Sequence, residues 1–424
     1  MSTSTTTHRG RFTRDHRAER PWWDLPFEVP SGCGSIAVRL DFEPRDGAVL
    51  DLGCQGAAGW RGWSGGARTS YVLTPDAATP GYLPGELEPG QWHVVLGPHR
   101  VPADGLDYTV TVRLNGDTVP EPSPPPPVPP RPPRRVLPAA VGLRWVAADL
   151  HAHTLHSDGA LTVPELAALA VAAGLDALAV TDHNTVSHHA ELTAVGRRYG
   201  VALLPGQEIT TEDGHANAFG DIGWVDFREP AARWVDTVAE RGGLLSVNHP
   251  LAADCAWRHP LPVRPPLAEV WHSSWLARTW GGPLAWWQAW GTGVTPVGGS
   301  DWHNADGHER LGTPTTWVAV DAAATTPDEL VPAVLDGLAA GRTAVSAGQH
   351  APVLLPVGDE LVALGAAGSL LLGAGGRTPV HGDRATLAAL GAGGHVLSGH
   401  DGEVLAIAAA LSGSHRVQED LATQ

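Results

Sequence analysis

Short apolar runs separated by glycine, proline and aspartate fill the chain from residue 22 to residue 114. Three of these runs, at residues 35–42, 91–96 and 108–114, have the length of β-strands. The last run alternates apolar and polar residues, which is typical of a strand with one buried face. The pattern predicts a small antiparallel, β-sandwich-like domain over residues 21–119, preceded by a disordered tail at residues 1–20.

From residue 145 onward, short β-like runs alternate with longer segments of helical character. This alternation is the signature of βα units, which build a parallel sheet or a barrel. Thr162, followed by Pro164 and Glu165, resembles a capped helix start, and Gly174 supplies the stop. The predicted strands lie at residues 146–150, 177–181, 201–204, 244–247, 268–271 and 294–298, and the predicted helices at residues 165–173, 229–241 and 328–340.

Prolines dominate residues 120–133, and prolines in series favour a stiff polyproline II segment. We interpret residues 120–138 as a linker, with an SH3-type ligand as the alternative. The linker places the main α/β domain at residues 139–345. Beyond this domain, residues 346–424 are rich in glycine and alanine and contain turn signals, which favours a short β-rich tail of hairpins.

Composition narrows the possible functions. A chain of 424 residues exceeds the roughly 250–300 residues at which one hydrophobic core stops growing, so two or three domains are expected. The formal net charge of −17 disfavours a general nucleic-acid-binding surface and leaves only a nucleotide or a short oligonucleotide. Cys33, Cys54 and Cys255 are too few for a disulfide framework and read as small buried residues of a reducing compartment. Because we recognise neither a secretory signal nor a membrane span, we expect a soluble cytoplasmic protein, with its oligomeric state left open.

Histidine and carboxylate residues recur in five groups along the α/β region. Neutral imidazole and carboxylate are the ligands that borderline divalent ions such as Zn, Mn and Fe(II) accept. Each group falls at or just past the C-terminal end of a predicted strand, where barrels assemble their sites from the loops. One metal site is therefore expected to collect the five groups, which are His151 with His153 and Asp158, Asp182 with His183, Glu208 with His215, His249, and Asp301 with His303.

These motifs resemble those of the polymerase and histidinol phosphatase (PHP) family. The resemblance covers residues 147–303 and includes the neighbouring Thr154, Ser157, Gly159, Asn184, Pro250 and Trp302. More narrowly, residues 62–66 and 80–85 and the preceding β domain are similar to the CehA/McbA branch of metallohydrolases. The resemblance implies a distorted (β/α)7 barrel that holds two or three divalent ions, with Zn, Mn or Fe as the metal.

Carried over residue by residue, the resemblance implies three ligand sets. All nine positions hold the residue type that the family pattern requires, so no degenerate copy is indicated. The first ion would be bound by His151, His153, Glu208 and Asp301, the second by Asp158, His183 and His303, and the third by Glu208, His215 and His249.

Such a centre indicates a metal-dependent hydrolase. Adjacent ions lower the pKa of a bound water towards about 7 and clamp the attacking and leaving oxygens of an in-line displacement. The leading hypothesis is a phosphoesterase that cleaves small organic phosphate mono- or diesters. The alternatives are a carbamate or carboxylic ester hydrolase with the same metal centre, and a non-enzymatic, metal-stabilised binding module.

Four residues are candidates for direct participation in catalysis: Asp158 and His303 as ligands beside the reaction, together with His156 and Arg310. His156 would protonate a leaving group or line the rim. Arg310 would hold a substrate phosphate or carboxylate, with a structural salt bridge as the alternative. Asp182 is expected to orient a neighbouring ligand.

The remaining candidates carry weaker signals. His188 and His189 begin a predicted helix and are expected at the surface, whereas His272 follows a predicted strand and could enter the pocket. Trp302 would narrow the entrance. A dense aromatic region is expected to be core, with one or two rings able to stack on a substrate, and consists of Trp257, Trp271, Trp275, Trp280, Trp286, Trp287 and Trp290.

Overall fold

A computed structural model describes residues 3–253, 255–291 and 293–410. The chain folds into two compact units. The first unit contains the N-terminal residues through Pro124 together with two short loops, Leu155–Asp158 and Asp182–His188. The second unit contains residues 125–154, residues 159–181 and the residues that follow His188.

Eight strands and one short helix make up the elements of the first unit in its described residues. They are β1 (Ser4–Phe12), α1 (Arg14–Glu19), β2 (Trp23–Val29), β3 (Ile36–Phe42), β4 (Val49–Gln55), β5 (Trp60–Gly65), β6 (Ser70–Leu73), β7 (Gly90–Arg100) and β8 (Leu106–Leu114). The strands pair antiparallel in two four-stranded sheets of order β1-β8-β3-β6 and β2-β7-β4-β5.

The alternation in β8 explains how these sheets form. Leu106, Val110, Val112 and Leu114 are buried, whereas the residues between them are more exposed. Their shared face joins an apolar core that includes fully buried Trp92. Hydrophobic burial therefore fixes the register of β8, because a shift by one residue would turn this face to solvent.

The N-terminal segment differs from the expected disordered tail. Residues 4–12 form β1, which pairs with β8 along its whole length, from Ser4 opposite Leu114 to Phe12 opposite Leu106. The side chain of Thr13 caps α1 by accepting the backbone N–H of His16. The polar, arginine-rich composition gave no strand pattern, because an edge strand needs few buried side chains. In β1 only Phe12 is buried.

Sixteen strands and five helices belong to the second unit in its described residues. The strands are β9 (Leu143–Asp149), β10 (Ala177–Val180), β11 (Ala202–Thr211), β12 (Gly214–Phe219), β13 (Leu244–Val247), β14 (Leu267–His272), β15 (Thr295–Gly299), β16 (Thr315–Asp321), β17 (Thr343–Ser346), β18 (Val353–Val357), β19 (Glu360–Leu364), β20 (Ser369–Gly373), β21 (Gly376–Val380), β22 (Arg384–Ala388), β23 (His395–Ser398) and β24 (Val404–Ala408). The helices are α2 (Val163–Ala172), α3 (His189–Tyr199), α4 (Ala231–Glu240), α5 (Gly282–Trp290) and α6 (Pro327–Ala339).

A mixed sheet of thirteen strands dominates this unit, with the order β15-β14-β13-β12-β11-β10-β9-β16-β17-β24-β23-β20-β21. Strands β9, β10 and β11 run parallel, as do β13, β14 and β15, whereas β12 is antiparallel to both of its neighbours. The unit is thus mixed α/β, and the closed (β/α)7 arrangement stays a prediction. Each of the six predicted strands of this region corresponds to one of β9, β10, β11, β13, β14 and β15.

Apolar side chains cover both faces of the sheet. In β10, Leu178 and Val180 join a core cluster with α2 and α3, while Ala177 and Ala179 join a second cluster with α6. A strand buried on both faces reads as a continuous apolar run, which is how β10 appears in the sequence. Thr162 and Glu165 form the capping box that starts α2.

The proline-rich segment carries no helix or strand over residues 120–138. Its arginines nevertheless bind the second unit. Arg131 donates to the carbonyls of Leu175 and Gly200, and Arg134 Nε lies 2.5 Å from a carboxylate oxygen of Asp176. The segment beyond Pro124 is therefore fixed along the α/β unit by charged and polar contacts.

The region after residue 345 contains strands, as its turn signals indicate. Strands β18, β19 and β22 form a three-stranded sheet, while β20, β21, β23 and β24 extend the large sheet beyond β17. The last part of the expected β-rich tail, residues 411–424, lies outside the described residues.

Candidate metal centre

Four side chains of the second unit converge near the ends of β9, β11 and β15. His151 Nε2 lies 3.2 Å from Glu208 Oε1 and 3.1 Å from Asp301 Oδ1. His153 Nε2 lies 2.9 Å from Asp301 Oδ1 and 3.5 Å from Glu208 Oε2. One donor atom from each of the four residues falls within 4.8 Å of the others, a spacing that suits one bound ion.

Backbone hydrogen bonds fix the segments that carry these ligands. Asp301 N donates to the carbonyl of His151 at 2.9 Å, and His153 N donates to the carbonyl of Trp302 at 2.9 Å. Asp301 has a φ of 54°, in the left-handed region that non-glycine residues seldom occupy. Strained backbone of this kind clusters at functional sites, where the surrounding structure holds it in place.

Asp149 joins the ends of β9 and β15. Its buried carboxylate accepts the backbone N–H of Ser300 at 3.0 Å, of His151 at 3.3 Å and of Gly312 at 2.7 Å. Burial raises the pKa of Asp149, and these hydrogen bonds oppose the rise. The side chain therefore links the backbone at His151 to the residue before Asp301.

Gly299 permits a close approach of β15 to His151. A Cβ atom at this position would lie 2.3 Å from the Cβ of His151 and 2.5 Å from Glu269 Oε1. Both distances are well below van der Waals contact, so a larger residue would displace the ligand segment.

The environment of His151 fits a metal ligand. Its Nδ1 lies 3.1 Å from Glu269 Oε1, while its buried Nε2 has no hydrogen-bond partner although it faces Glu208 and Asp301. Burial lowers the pKa of His151, but the carboxylates of Asp301, Glu208 and Glu269 outweigh burial and raise the pKa well above its usual value. A histidine whose outer nitrogen is held by a carboxylate and whose other nitrogen points among carboxylate oxygens has the arrangement that metal ligands adopt.

Glu208 is shared with a second group of donors. His215 Nδ1 and His249 Nε2 each lie 3.2 Å from Glu208 Oε1, and Asn248 Nδ2 donates to the same oxygen at 2.9 Å. His215 lies on β12, directly across from β11, and His249 follows β13. The hairpin of β11 and β12 and the antiparallel pairing of β12 with β13 thus bring both histidines to one carboxylate.

Two further residues of this centre lie on β14. Glu269 accepts the backbone N–H of His249 at 2.8 Å in addition to its contact with His151, and His272 Nε2 lies 3.2 Å from Asp301 Oδ2. His272 was considered only as a possible pocket residue. The sequence reasoning missed Glu269 altogether, although a single carboxylate within an otherwise apolar strand was a signal that could have found it.

His303 lies at the edge of the same group. Its Nδ1 donates to the carbonyl of Asp301 at 2.7 Å, and its ring stacks on that of His153 with 4.2 Å between the ring centroids. This hydrogen bond fixes the Nδ1 side of the ring against the backbone of Asp301.

The loops Leu155–Asp158 and Asp182–His188 hold the remaining predicted ligands in the first unit. Asp158 Oδ1 lies 3.6 Å from His183 Nε2, and both side chains are partly exposed. Ser157 Oγ donates to Asp182 Oδ1 at 2.7 Å, and His188 Nδ1 lies 3.2 Å from Asp182 Oδ2. Asp182 therefore ties the two loops together, and its role in orienting a ligand stays a prediction.

Residues of the β sheets fix these loops. Arg68 donates to the carbonyls of Leu155 and Ser157, the latter at 2.9 Å. The peptide of Gly81 accepts the hydroxyl of Thr185 at 2.9 Å and donates to Ser187 Oγ at 3.1 Å. Gly81 has a φ of 98°, and a Cβ there would lie 2.7 Å from the carbonyl oxygen of His156, so only glycine fits.

His156 and Arg310 have partners of their own. His156 Nδ1 lies 2.7 Å from Ser187 Oγ. Arg310 is exposed and donates to the carbonyls of Gly307 and Glu309 within its own loop, each at 2.9 Å.

Several weaker expectations need correction. His188 is fully buried, and the partly buried His189 donates from Nε2 to the carbonyl of Gly206 at 2.9 Å, so the expectation that both lie at the surface is wrong. Trp302 is 4% exposed and packs in the apolar cluster with α2 and α3, which places it in the core and not at an entrance.

Three of the seven tryptophans of the aromatic region are core, as expected, and three more are partly buried. Trp271, Trp275 and Trp287 are buried in one cluster with strands β17 and β24, whereas Trp280 is 56% exposed. Trp286 and Trp290 stack on each other with 5.1 Å between centroids.

Comparison with known proteins agrees with this geometry. Residues 149–250 match the family model of the PHP domain. The matched segment contains His151, His153, Glu208, His215 and His249. The match supports membership of the PHP family, and together with the phosphatase relative described next it supports an enzyme.

Two curated relatives share short segments with the chain. A 3',5'-nucleoside bisphosphate phosphatase of Chromobacterium violaceum is 39% identical over 84 residues, which is 20% of this chain and 29% of that protein. A 5'-3' exoribonuclease of Haemophilus influenzae is 40% identical over 63 residues, which is 15% of this chain and 23% of that protein. The chain thus spans less than a third of the length of either relative.

Among solved structures, one similar protein is a two-domain protein of Bacteroides vulgatus that contains a predicted PHP-like metal-dependent phosphoesterase. It is 17% identical with a TM-score of 0.41, and the match covers 66% of this chain and 99% of that one. Within the described residues, no helix is both long and apolar enough to cross a membrane.

Proposed function

We propose that the protein is a metal-dependent phosphoesterase that hydrolyses small organic phosphate mono- or diesters. The observation that carries this proposal is the cluster of His151, His153, Glu208 and Asp301, in which two imidazoles and two carboxylates direct donor atoms to one point. Imidazole and carboxylate together suit Zn, Mn or Fe(II) and not an alkali ion. Bound divalent ions supply Lewis acidity for a phosphoryl or carbonyl oxygen and lower the pKa of water.

The residues of this chain have separate tasks in the proposal. Glu208 directs Oε1 to His151, His215 and His249, and its Oε2 lies 3.5 Å from His153 Nε2, so the carboxylate would be shared between ions. Glu269 holds the outer nitrogen of His151 and fixes the direction of that ring. Asp158, His183 and His303 would complete the set for another ion, with two or three ions bound in a (β/α)7 barrel of the PHP type.

Two residues are proposed for substrate and proton handling. His156 would donate a proton to the leaving group, because it lies two residues before the proposed ligand Asp158 and the Ser187 hydroxyl, 2.7 Å from Nδ1, fixes its ring. Arg310 would bind a substrate phosphate only after releasing the carbonyls of its own loop. The proposal therefore assigns Arg310 a role in binding and not in the chemical step.

The choice of a phosphate ester rests on the relatives. One is named a nucleoside bisphosphate phosphatase and another an exoribonuclease, and both names describe hydrolysis of phosphate esters. The net charge of −17 favours a small substrate over a long nucleic acid, since a polyanion binds a basic surface. The resemblance to the CehA/McbA branch keeps carbamate and carboxylic esters as the alternative substrates. We further propose that the protein acts in the cytoplasm.

A substrate panel tests the proposal. The protein is freed of metal with a chelator, reloaded separately with Zn, Mn or Fe(II), and assayed with a phosphomonoester, a phosphodiester, an aryl carbamate and a carboxylic ester. Metal-dependent hydrolysis of either phosphate ester is the expected result. Hydrolysis of the carbamate or carboxylic ester alone would support the alternative, and no hydrolysis with any metal would reject both.

A matched pair of variants links activity to the site. Asp301→Asn is expected to lose at least about 100-fold in kcat/KM, because the amide cannot replace a charged ligand that two histidines face. Asp306→Asn makes the same chemical change five residues away, where the side chain is exposed, and should retain full activity. Equal activity of the two variants would contradict the assignment of Asp301.

A further inference from the structure

Cys255 lies in the loop that follows β13, and its side chain contacts a histidine of the metal centre. Its Sγ lies 3.4 Å from Nδ1 of His249, which comes six residues earlier. The other nitrogen of His249 faces Glu208, as described above. The thiol is therefore placed at the outer side of a histidine that belongs to the centre.

The loop is folded so that this contact is built in. His249 has a φ of 22°, and its carbonyl accepts the backbone N–H of Ala252 at 2.9 Å, which closes a tight turn. Trp257 N then donates to the carbonyl of Pro250 at 3.1 Å, and Arg258 N donates to the carbonyl of Asp213 at 2.7 Å. These bonds on both sides of Cys255 bring the loop back across the turn between β11 and β12.

One of the three donor separations matches the dimensions of a tetrahedral site. Donor atoms of His215, His249 and Cys255 lie within 4.8 Å of one another. Zinc ligands at about 2.1 Å for nitrogen and 2.3 Å for sulfur are separated by about 3.6 Å in a tetrahedron. The observed 3.4 Å between Sγ and Nδ1 is close to this separation.

We infer that Cys255 is a thiolate ligand of a divalent ion that it binds together with His215 and His249. This inference rests on the metal centre of the proposed function and places the ion on the Nδ1 side of His249, whereas Nε2 of the same ring faces Glu208. A donor set with one sulfur and two nitrogens favours zinc or a similarly thiophilic ion over Mn, which prefers oxygen ligands. The ion at this position would therefore differ in kind from one bound only by imidazole and carboxylate.

Cobalt spectroscopy tests the inference without any assay of activity. The reduced, metal-free, full-length protein is titrated with Co(II) under anaerobic conditions, and the near-ultraviolet absorption from thiolate-to-cobalt charge transfer is recorded. We expect this absorption in the unchanged protein and its complete loss in Cys255→Ser. Cys33→Ser serves as the control, because Cys33 is buried in the first unit and its donor bond to the carbonyl of Ser35 can be kept by a serine hydroxyl.

Two outcomes would overturn the inference. The first is cobalt bound without a charge-transfer band, as seen from visible ligand-field bands, in which case Cys255 only hydrogen-bonds to His249. The second is a band that persists in Cys255→Ser. If this variant fails to fold, alkylation of the unchanged protein decides the matter, because bound zinc should protect Cys255 and leave its alkylation rate at least tenfold lower, as read by peptide mass spectrometry. Equal alkylation with and without zinc would reject thiolate binding, and none of these results depends on which ester the protein cleaves.

Discussion

Glu269 Oε1 lies 3.1 Å from His151 Nδ1, so a buried carboxylate on β14 faces the outer nitrogen of a histidine on the segment after β9. The second oxygen of Glu269 accepts the backbone N–H of His249. One side chain thus orients donors from two of the predicted ligand sets. Burial raises the pKa of Glu269, but the charges of His151 and His272 outweigh this and lower it, which keeps the carboxylate ionised.

The first prediction concerns this residue. Glu269→Gln should weaken metal binding by about 10–100-fold, because partners that orient a ligand histidine contribute affinity of this order. Competition between the protein and a chromophoric zinc chelator measures the affinity. Glu240→Gln, an exposed change at the end of α4, is the control and should bind zinc as the unchanged protein does. Equal affinities of the two variants would show that Glu269 does not orient the site.

A second prediction addresses Asp149. Replacing this carboxylate with the amide of asparagine removes the negative charge to which three backbone N–H groups donate. The NH₂ group of the amide would also face one of these N–H donors, so that hydrogen bond would be lost. Asp149→Asn should lower the free energy of unfolding by about 2–3 kcal/mol, as expected for hydrogen bonds to a buried charged group. Urea denaturation of the metal-free protein measures this change. Asp321→Asn, at an exposed position at the end of β16, should change stability far less.

The sequence predicted more of the site than of the fold around it. The sequence indicated the histidines and Asp301 because they lie in short motifs that follow apolar strands. The end of an apolar strand can be recognised from the sequence alone. Glu269 stands out in the sequence as a carboxylate in an apolar strand, but its partners depend on β14 lying between β13 and β15, which no local pattern encodes. His188 was expected at the surface because the sequence does not show its burial, and in the structure it is fully buried with Nδ1 3.2 Å from Asp182 Oδ2.

The first unit shows most clearly which strands cannot be predicted from the sequence. A strand such as β1 owes its existence to pairing with β8, and the pairing is set almost one hundred residues away. The capped start of α2 was predicted correctly, because Thr162 and Glu165 satisfy each other within one turn. Local chemistry could be read directly, whereas long-range pairing between polar strands could not.

A third prediction concerns Arg68. Its guanidinium bonds the carbonyls on both sides of His156, so Arg68→Ala should free the loop Leu155–Asp158 while leaving the β sheets folded. Hydrogen exchange, followed by mass spectrometry of peptides covering this loop, should be at least tenfold faster in the variant. Arg39→Ala removes an exposed arginine of β3 and should leave the exchange of the loop unchanged. Unaltered exchange in Arg68→Ala would mean that other contacts suffice to hold the loop.

The fourth prediction is a dependence of metal affinity on pH. Burial lowers the pKa of both His151 and His249, but their neighbours outweigh burial and raise both pKa values well above the usual one. The neighbours of His151 are Asp301, Glu208 and Glu269. Those of His249 are Cys255 and Glu208. The metal-free centre therefore holds protons on these rings at neutral pH. A metal ion needs the neutral imidazole, so each ion must displace a proton.

The sign of the effect follows from the raised pKa values. Apparent affinity should rise by about tenfold per pH unit for each proton displaced, over the range between pH 6 and the raised pKa values. In the metal-free protein the same protonation stabilises the fold, with the full contribution present below about pH 6.5 and lost as the pH rises through the raised values. Asp301 contributes no proton, because the neighbouring His151 and His153 outweigh burial and hold its pKa well below the usual value.

Calorimetry in buffers of different ionisation enthalpy measures the released protons directly. At pH 7 we expect His151 and His249 together to release between one and two protons per protein, and His249→Gln should release about one fewer than the unchanged protein. His308→Gln alters an exposed histidine and should release the same number. Zinc binding at pH 7 without proton release would show that the rings are already neutral, and the raised pKa values would then not describe the metal-free centre.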